Sequence, residues 1–138
     1  PGAGGPARLA AAARAYVRCA VARPGVFALM FRPELLDVAA PGFARDSQAA
    51  FDQLVRMVRA AQDGGWRTEA ETRRLAGALW ASVHGLASLW SQGAYPAVVR
   101  ASSLDAALDD LVELLLSDPP TRSPSRPRIR TCPATSPP

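Results

Sequence analysis

Apolar positions recur three and four residues apart along most of the chain, the period of a helix with one buried face. Leu9, Ala12, Ala13, Tyr16, Val17 and Ala20 form the first such stripe, with Arg14 and Arg18 opposite, and predict a helix from Pro6 to Ala22. Arg23-Pro24 ends it, because a residue before proline is pushed out of helical backbone angles. Pro24 suits the first turn of a second, short helix, whose Phe27, Met30 and Phe31 share a face and which Arg32-Pro33 stops. Residues 34–44 hold Pro41-Gly42 and read as one short turn and a loop. A third helix is predicted from Asp46 or Ser47 to Asp63. Phe51, Leu54, Val55, Val58 and Ala61 face inward on it, and the pairs Asp52/Arg56 and Arg59/Asp63 sit four apart outside. Gly64-Gly65 is a stop signal. Thr68 with Glu71 reads as a capping box opening the next helix, and Tyr95-Pro96 falls in the connection that follows it. The last helix runs from Ser103 to Leu116 on a stripe of Leu104, Leu108, Leu111, Val112 and Leu115, broadened by Ala107 and Leu114, with Asp105, Asp109, Asp110 and Glu113 outside. No alternating strand pattern and no repeat stands out. The expected fold is an all-α helical bundle over residues 6–116, between a flexible lead (1–5) and a disordered Pro/Ser/Arg tail (117–138).

The stretch from Leu75 to Val99 organises the rest. It contains no Asp, Glu, Lys or Arg, and His84 is its only group titrating near neutrality. A soluble helix normally keeps one charged face, so this one is expected to have no side given to water. Leu75, Ala76, Leu79, Val83, Leu86, Ala87 and Trp90 form a large apolar stripe, with Trp80 at its edge. Gly77, Ala78, Ala81, Gly85 and Ser88 lie roughly opposite, and all are small. Each glycine costs a helix interior about 1 kcal/mol relative to alanine. Close approach of another helix backbone offsets such a cost, and a symmetry mate is the favoured candidate. The alternative is a central helix wrapped by its own domain. The leucine stripe of the last helix (Leu104, Leu108, Leu111 and Leu115) is wide enough to serve a core and a partner together. A membrane span is not expected, because Ser82, His84, Ser88, Ser91 and Gln92 interrupt the roughly 20 apolar residues that one needs.

Charge narrows the partners. All 16 basic residues are Arg, and with abundant Ala, Gly and Pro they suggest a GC-rich coding sequence. Of the net charge of +4, most sits after Leu116, where four Arg face Asp118 alone. The folded body carries 12 Arg against 11 acids and has no basic face for gripping phosphates. Cys19 and Cys132 make no disulfide framework, and no Cys/His spacing suits a metal. No leader pattern opens the chain, so a cytoplasmic setting is expected.

Two segments carry a family resemblance. Ala15-Tyr16-Val17-Arg18-Cys19-Ala20 with Pro24-Gly25-Val26-Phe27-Ala28-Leu29-Met30-Phe31 resembles the early ligand-domain segment of TetR-family (tetracycline-repressor-like) transcriptional regulators. Leu79-Trp80-Ala81-Ser82-Val83-His84-Gly85-Leu86-Ala87 resembles the Trp-His-Gly signature of one C-terminal subfamily. The order of elements over residues 6–116 fits as well. The resemblance implies an all-α regulatory domain whose central and last helices pair with a twin in a four-helix interface. It also implies an apolar cavity whose small hydrophobic effector changes DNA affinity. Family members carry an N-terminal helix-turn-helix, which this sequence does not show, so DNA contact is expected only through that absent part.

Phe27, Met30, Phe31, Phe51, Leu54, Val58, Trp80 and Val83 are the candidates for the cavity lining. At helical spacing such residues also serve as plain core. His84 beside Trp80 is either the polar group that orients a ligand in a greasy pocket or a satisfied histidine between core and interface. One His, two distant Cys and no convergent carboxylates give no nucleophile-base pair, so neither an enzyme nor a cofactor is expected. The competing expectation is a helical oligomerisation or protein-interaction domain without a ligand.

Overall fold

The computed structural model describes residues 4–32 and 43–117. These form six helices and no strand: α1 (Gly4–Ala22), α2 (Pro24–Met30), α3 (Phe43–Asp63), α4 (Thr72–Ser91), α5 (Ala94–Val99) and α6 (Leu104–Leu116). The expected loop after α2 and the expected disordered tail lie outside the described residues, apart from Phe43 and Ala44, which open α3, and Ser117, which caps α6.

Local chemistry sets most boundaries. Alanine, the best helix former, dominates α1. This helix starts at Gly4, ahead of the expected Pro6, for a tertiary reason: a Cβ on Gly5 would stand 2.5 Å from the Ala61 Cα, so α1 and α3 touch there only because Gly5 has no side chain. α3 starts at Phe43, which puts Asp46 in its first turn, where a carboxylate meets the positive end of the helix dipole. α3 stops at the expected glycine pair, with Gly65 at φ 98°. The buried Gln62 then organises the turn. Its amide donates to the Arg67 and Ala70 carbonyls at 3.1 and 2.7 Å, and its carbonyl accepts from the Thr72 hydroxyl at 2.8 Å. The indole N–H of Trp66 crosses to the Leu116 carbonyl at 2.9 Å and satisfies an open end of α6.

Two expectations are corrected here. The Thr68–Glu71 capping box does not form, because the turn uses residues 64–69 and α4 begins only at Thr72. Glu71 caps the helix itself, accepting from the backbone N–H groups of Arg73 and Arg74 at 2.9 and 2.7 Å. Those two bonds favour the ionised carboxylate and hold Glu71 below its ordinary range. The cap therefore contributes fully above the unfolded pKa and is lost as pH falls through the lowered one. Thermal melts of Glu71→Gln are expected to show a deficit at neutral pH that shrinks as acidity rises; a deficit independent of pH would mean that the carboxylate charge does not act as the cap. The second correction concerns Tyr95-Pro96. These residues lie inside α5, with Pro96 in the first turn, where its missing N–H leaves no helical bond unmade.

α1 packs against α4, α3 and α6 and forms the spine of the bundle. Two buried clusters lie along it. One joins Leu9, Val58, Ala61, Trp66, Ala76 and Leu79; the other joins Val17, Ala20, Leu86, Ala87, Ala107 and Leu108. Outside, Arg14–Asp109 and Arg18–Asp105 pair α1 with α6, but their acidic partners are largely exposed and such pairs add little.

The leucine stripe of α6 faces inward. Leu108 is completely buried against α1 and α4, which removes it from the expected interface and makes it core. Leu104, Leu111 and Leu115 are half-buried against the same two clusters. The leucine that points out is Leu114, 79% exposed. The physical reason is the position of α6 across α1, which buries the centre of the stripe at Ala107 and Leu108. The small face of α4 is different. Ala78 and Ala81 are exposed, and a Cβ on Gly77 or Gly85 would meet nothing within 4 Å. The described residues of the chain therefore do not wrap this side of the central helix, which stays open to water in the single chain. Ser88 is half-buried at its end. No described helix is long and apolar enough to cross a membrane.

A candidate ligand cavity and the aromatic cluster beside it

Packing along α1 is incomplete between the two clusters. Leu9 and Val17 fill the space at either end, but the stripe between them carries Ala12 and Ala13, each with a single methyl group. A cavity of about 120 Å³ results. Leu9, Ala12, Ala13 and Tyr16 of α1 form one wall, and Leu79, Trp80 and Val83 of α4 another. Leu111, Val112, Leu115 and Leu116 of α6 close it with Leu54 of α3. None of these side chains is charged, and only Tyr16 and Trp80 carry a polar side-chain atom.

His84 stands next to this cavity without lining it. One helical turn after Trp80, it forms the hub of an aromatic cluster. The Phe31 and Phe27 rings lie 4.4 and 5.1 Å from its imidazole and Trp80 lies 6.2 Å away. Phe51 packs 5.8 Å from Trp80, under the Arg73 guanidinium. The His84 Nδ1 and the Tyr16 hydroxyl are hydrogen-bonded at 3.1 Å. Burial pushes the Tyr16 phenol up, against an opposing hydrogen bond from Trp80, so the hydroxyl stays neutral through physiological pH. Tyr16 thus belongs to both groups: it lines the cavity and holds the histidine.

Of the expected lining residues, Leu54, Trp80 and Val83 meet at the cavity. Phe27, Phe31, Phe51 and His84 gather in the flanking cluster instead. Two placements are corrected. Val58 is fully buried in the Leu9 cluster, one turn beyond Leu54, and has no face toward the space. Met30 is 60% exposed, because α2 lies on the surface and buries none of its residues. The expected interface residues Leu111 and Leu115 are cavity wall. Sequence reasoning missed the α1 wall, although a signal was present: two consecutive alanines at core positions in the middle of a long stripe mark a place where volume is missing.

A family model described as "Tetracyclin repressor-like, C-terminal domain" matches residues 9–115. The chain belongs to that family. The match spans the described bundle from the first cavity residue, Leu9, to Leu115. Domains of this family are parts of regulatory proteins. Among curated proteins and among solved structures, nothing matches the chain.

Proposed function

We propose that this TetR-like domain senses a small hydrophobic effector and dimerises, and so modulates DNA binding by a helix-turn-helix domain N-terminal to it. The observation that carries the reading is the uncharged cavity at the meeting of α1, α3, α4 and α6. An occupant there touches four helices at once, so different packings of those helices bind it differently. Only such differential affinity can shift an equilibrium between two forms. The second element is the open small face of α4, with Gly77, Ala78, Ala81 and Gly85, which lets a twin helix approach closely. With the effector bound, the altered bundle would change the spacing of two DNA-reading heads. The cytoplasm, where such a regulator meets DNA, is the setting that fits.

A native mass spectrum of the purified chain tests this. The expected result is a dimer carrying extra mass that is lost on denaturation. A dimer without extra mass, and with no response to any added apolar compound, favours a domain that only oligomerises. His84→Ala is expected to reduce the fraction carrying ligand severalfold while the thermal midpoint moves by only a few degrees. The substitution takes a partner from Tyr16, which costs about 1 kcal/mol, and leaves the two buried clusters intact. Unchanged occupancy would retire any role of His84 in binding.

A further inference from the structure

We infer that the cavity takes an uncharged ligand the size of a single aromatic ring, with the Tyr16 hydroxyl as its polar contact. This rests on the effector-pocket reading and narrows it. Size comes first. A cavity of about 120 Å³ lies below the range of roughly 300–1,000 Å³ usual for drug-sized ligands. It is close to the roughly 150 Å³ of an apolar cavity that stays dry and admits benzene. A long acyl chain or a fused polycycle would extend beyond that space.

Charge comes second. Among the described residues no Arg lines the cavity. Arg14, the neighbour of Ala13 in sequence, is paired with Asp109 instead. A carboxylate or phosphate inside would be buried without a counter-charge, which is strongly unfavourable. A cation would meet no carboxylate either.

The polar contact comes third. Tyr16 and Trp80 are the two lining residues with polar side-chain atoms, and their rings offer faces and edges to a flat ligand. The Tyr16 hydroxyl is held by the His84 Nδ1 at 3.1 Å. Trp80 also hydrogen-bonds to this oxygen; when the His84 Nδ1 carries a proton and donates as well, the hydroxyl keeps its own proton to give to a ligand. Tyr16 therefore distinguishes a ring bearing a hydroxyl or similar neutral group from a bare hydrocarbon, and His84 acts through it as a positioning residue.

The test titrates the chain with toluene, phenol, benzoate and octanoate, and follows the methyl resonances of Val83 and Leu111. Phenol and toluene are expected to bind at least tenfold more tightly than benzoate or octanoate. Tyr16→Phe is expected to weaken phenol about tenfold and toluene less than twofold. Ala13→Leu fills the space and is expected to abolish both; shifts confined to the cavity methyls in the unaltered chain locate the site independently of that variant. Tightest binding by benzoate or octanoate at the same methyls overturns the ligand class and leaves the effector pocket standing. Phenol binding that ignores Tyr16→Phe overturns the role of Tyr16. No shift with any of the four compounds overturns the inference alone if the native chain carries extra mass, and overturns the effector reading with it if the chain carries none.

Discussion

Replacing Leu108 by alanine is expected to lower the stability of the domain by about 2–5 kcal/mol. Leu108 has no exposed surface and packs among Val17, Ala20, Leu86, Ala87 and Ala107, the cluster that ties α6 to α1 and α4. The substitution removes three carbon atoms, Cγ and the two Cδ methyls, and leaves a void between three helices that cannot all move in. Small domains have net stabilities of about 5–15 kcal/mol, so the loss is a large share of the whole. Urea unfolding followed by far-ultraviolet circular dichroism measures it. The comparison is Leu114→Ala, six residues on and 79% exposed, which is expected to cost little in the single chain. Equal effects at the two positions would mean that α6 presents its other side to the bundle.

Ala81→Arg is expected to turn a dimer into a monomer while leaving the fold of each chain as stable as before, within about 0.5 kcal/mol. Ala81 is exposed at the centre of the small face of α4, so a longer side chain has room in one chain alone. In a two-fold interface every substitution appears twice. Two guanidinium groups would meet where the backbones come closest, and a penalty of about 3 kcal/mol corresponds to a weakening beyond a hundredfold. Sedimentation over a range of concentrations reads the change. Gly77→Ala and Gly85→Ala sharpen the result. A Cβ at either position meets nothing within 4 Å in the chain itself. Each substitution should therefore stabilise the dilute monomer by about 1 kcal/mol through helix propensity, yet weaken a close-packed dimer. If the Ala81→Arg chain stays dimeric, the pairing uses another surface, with the exposed apolar face of α2 (Val26, Leu29 and Met30) next in line.

Much of the fold was legible in the chain because helices are coded locally. Arg23-Pro24, Gly64-Gly65 and Ser103 marked where α1 and α3 end and where α6 begins. Periodicity picked out the inward stripes of α1, α3, α4 and α6. The turn between α3 and α4 was less legible, because its length depends on Gln62 reaching across to Arg67, Ala70 and Thr72, and no local pattern encodes that reach. The early start of α1 was hidden for the same reason: it depends on Gly5 meeting Ala61, 56 positions away.

The site divides in the same way. Leu54, Trp80 and Val83 could be named from helical spacing, since spacing tells which residues leave the solvent. Spacing does not tell what they find inside. Val58 and Leu54 lie one turn apart on the same stripe, and one is packed solid while the other borders a void. Leu108 and Leu111 divide likewise on α6.

By itself, then, the sequence determined an all-α domain, its helix order, the uncharged stretch from Leu75 to Val99 and its family, because propensity, capping and periodicity act over a few residues. Only the tertiary structure decided where volume is missing, that Tyr16 joins the cavity to His84, and that Leu108 of α6 belongs to the chain's own core. Those outcomes depend on how the side chains of four helices fill one shared space, and whether that space is filled is a property of all the helices together.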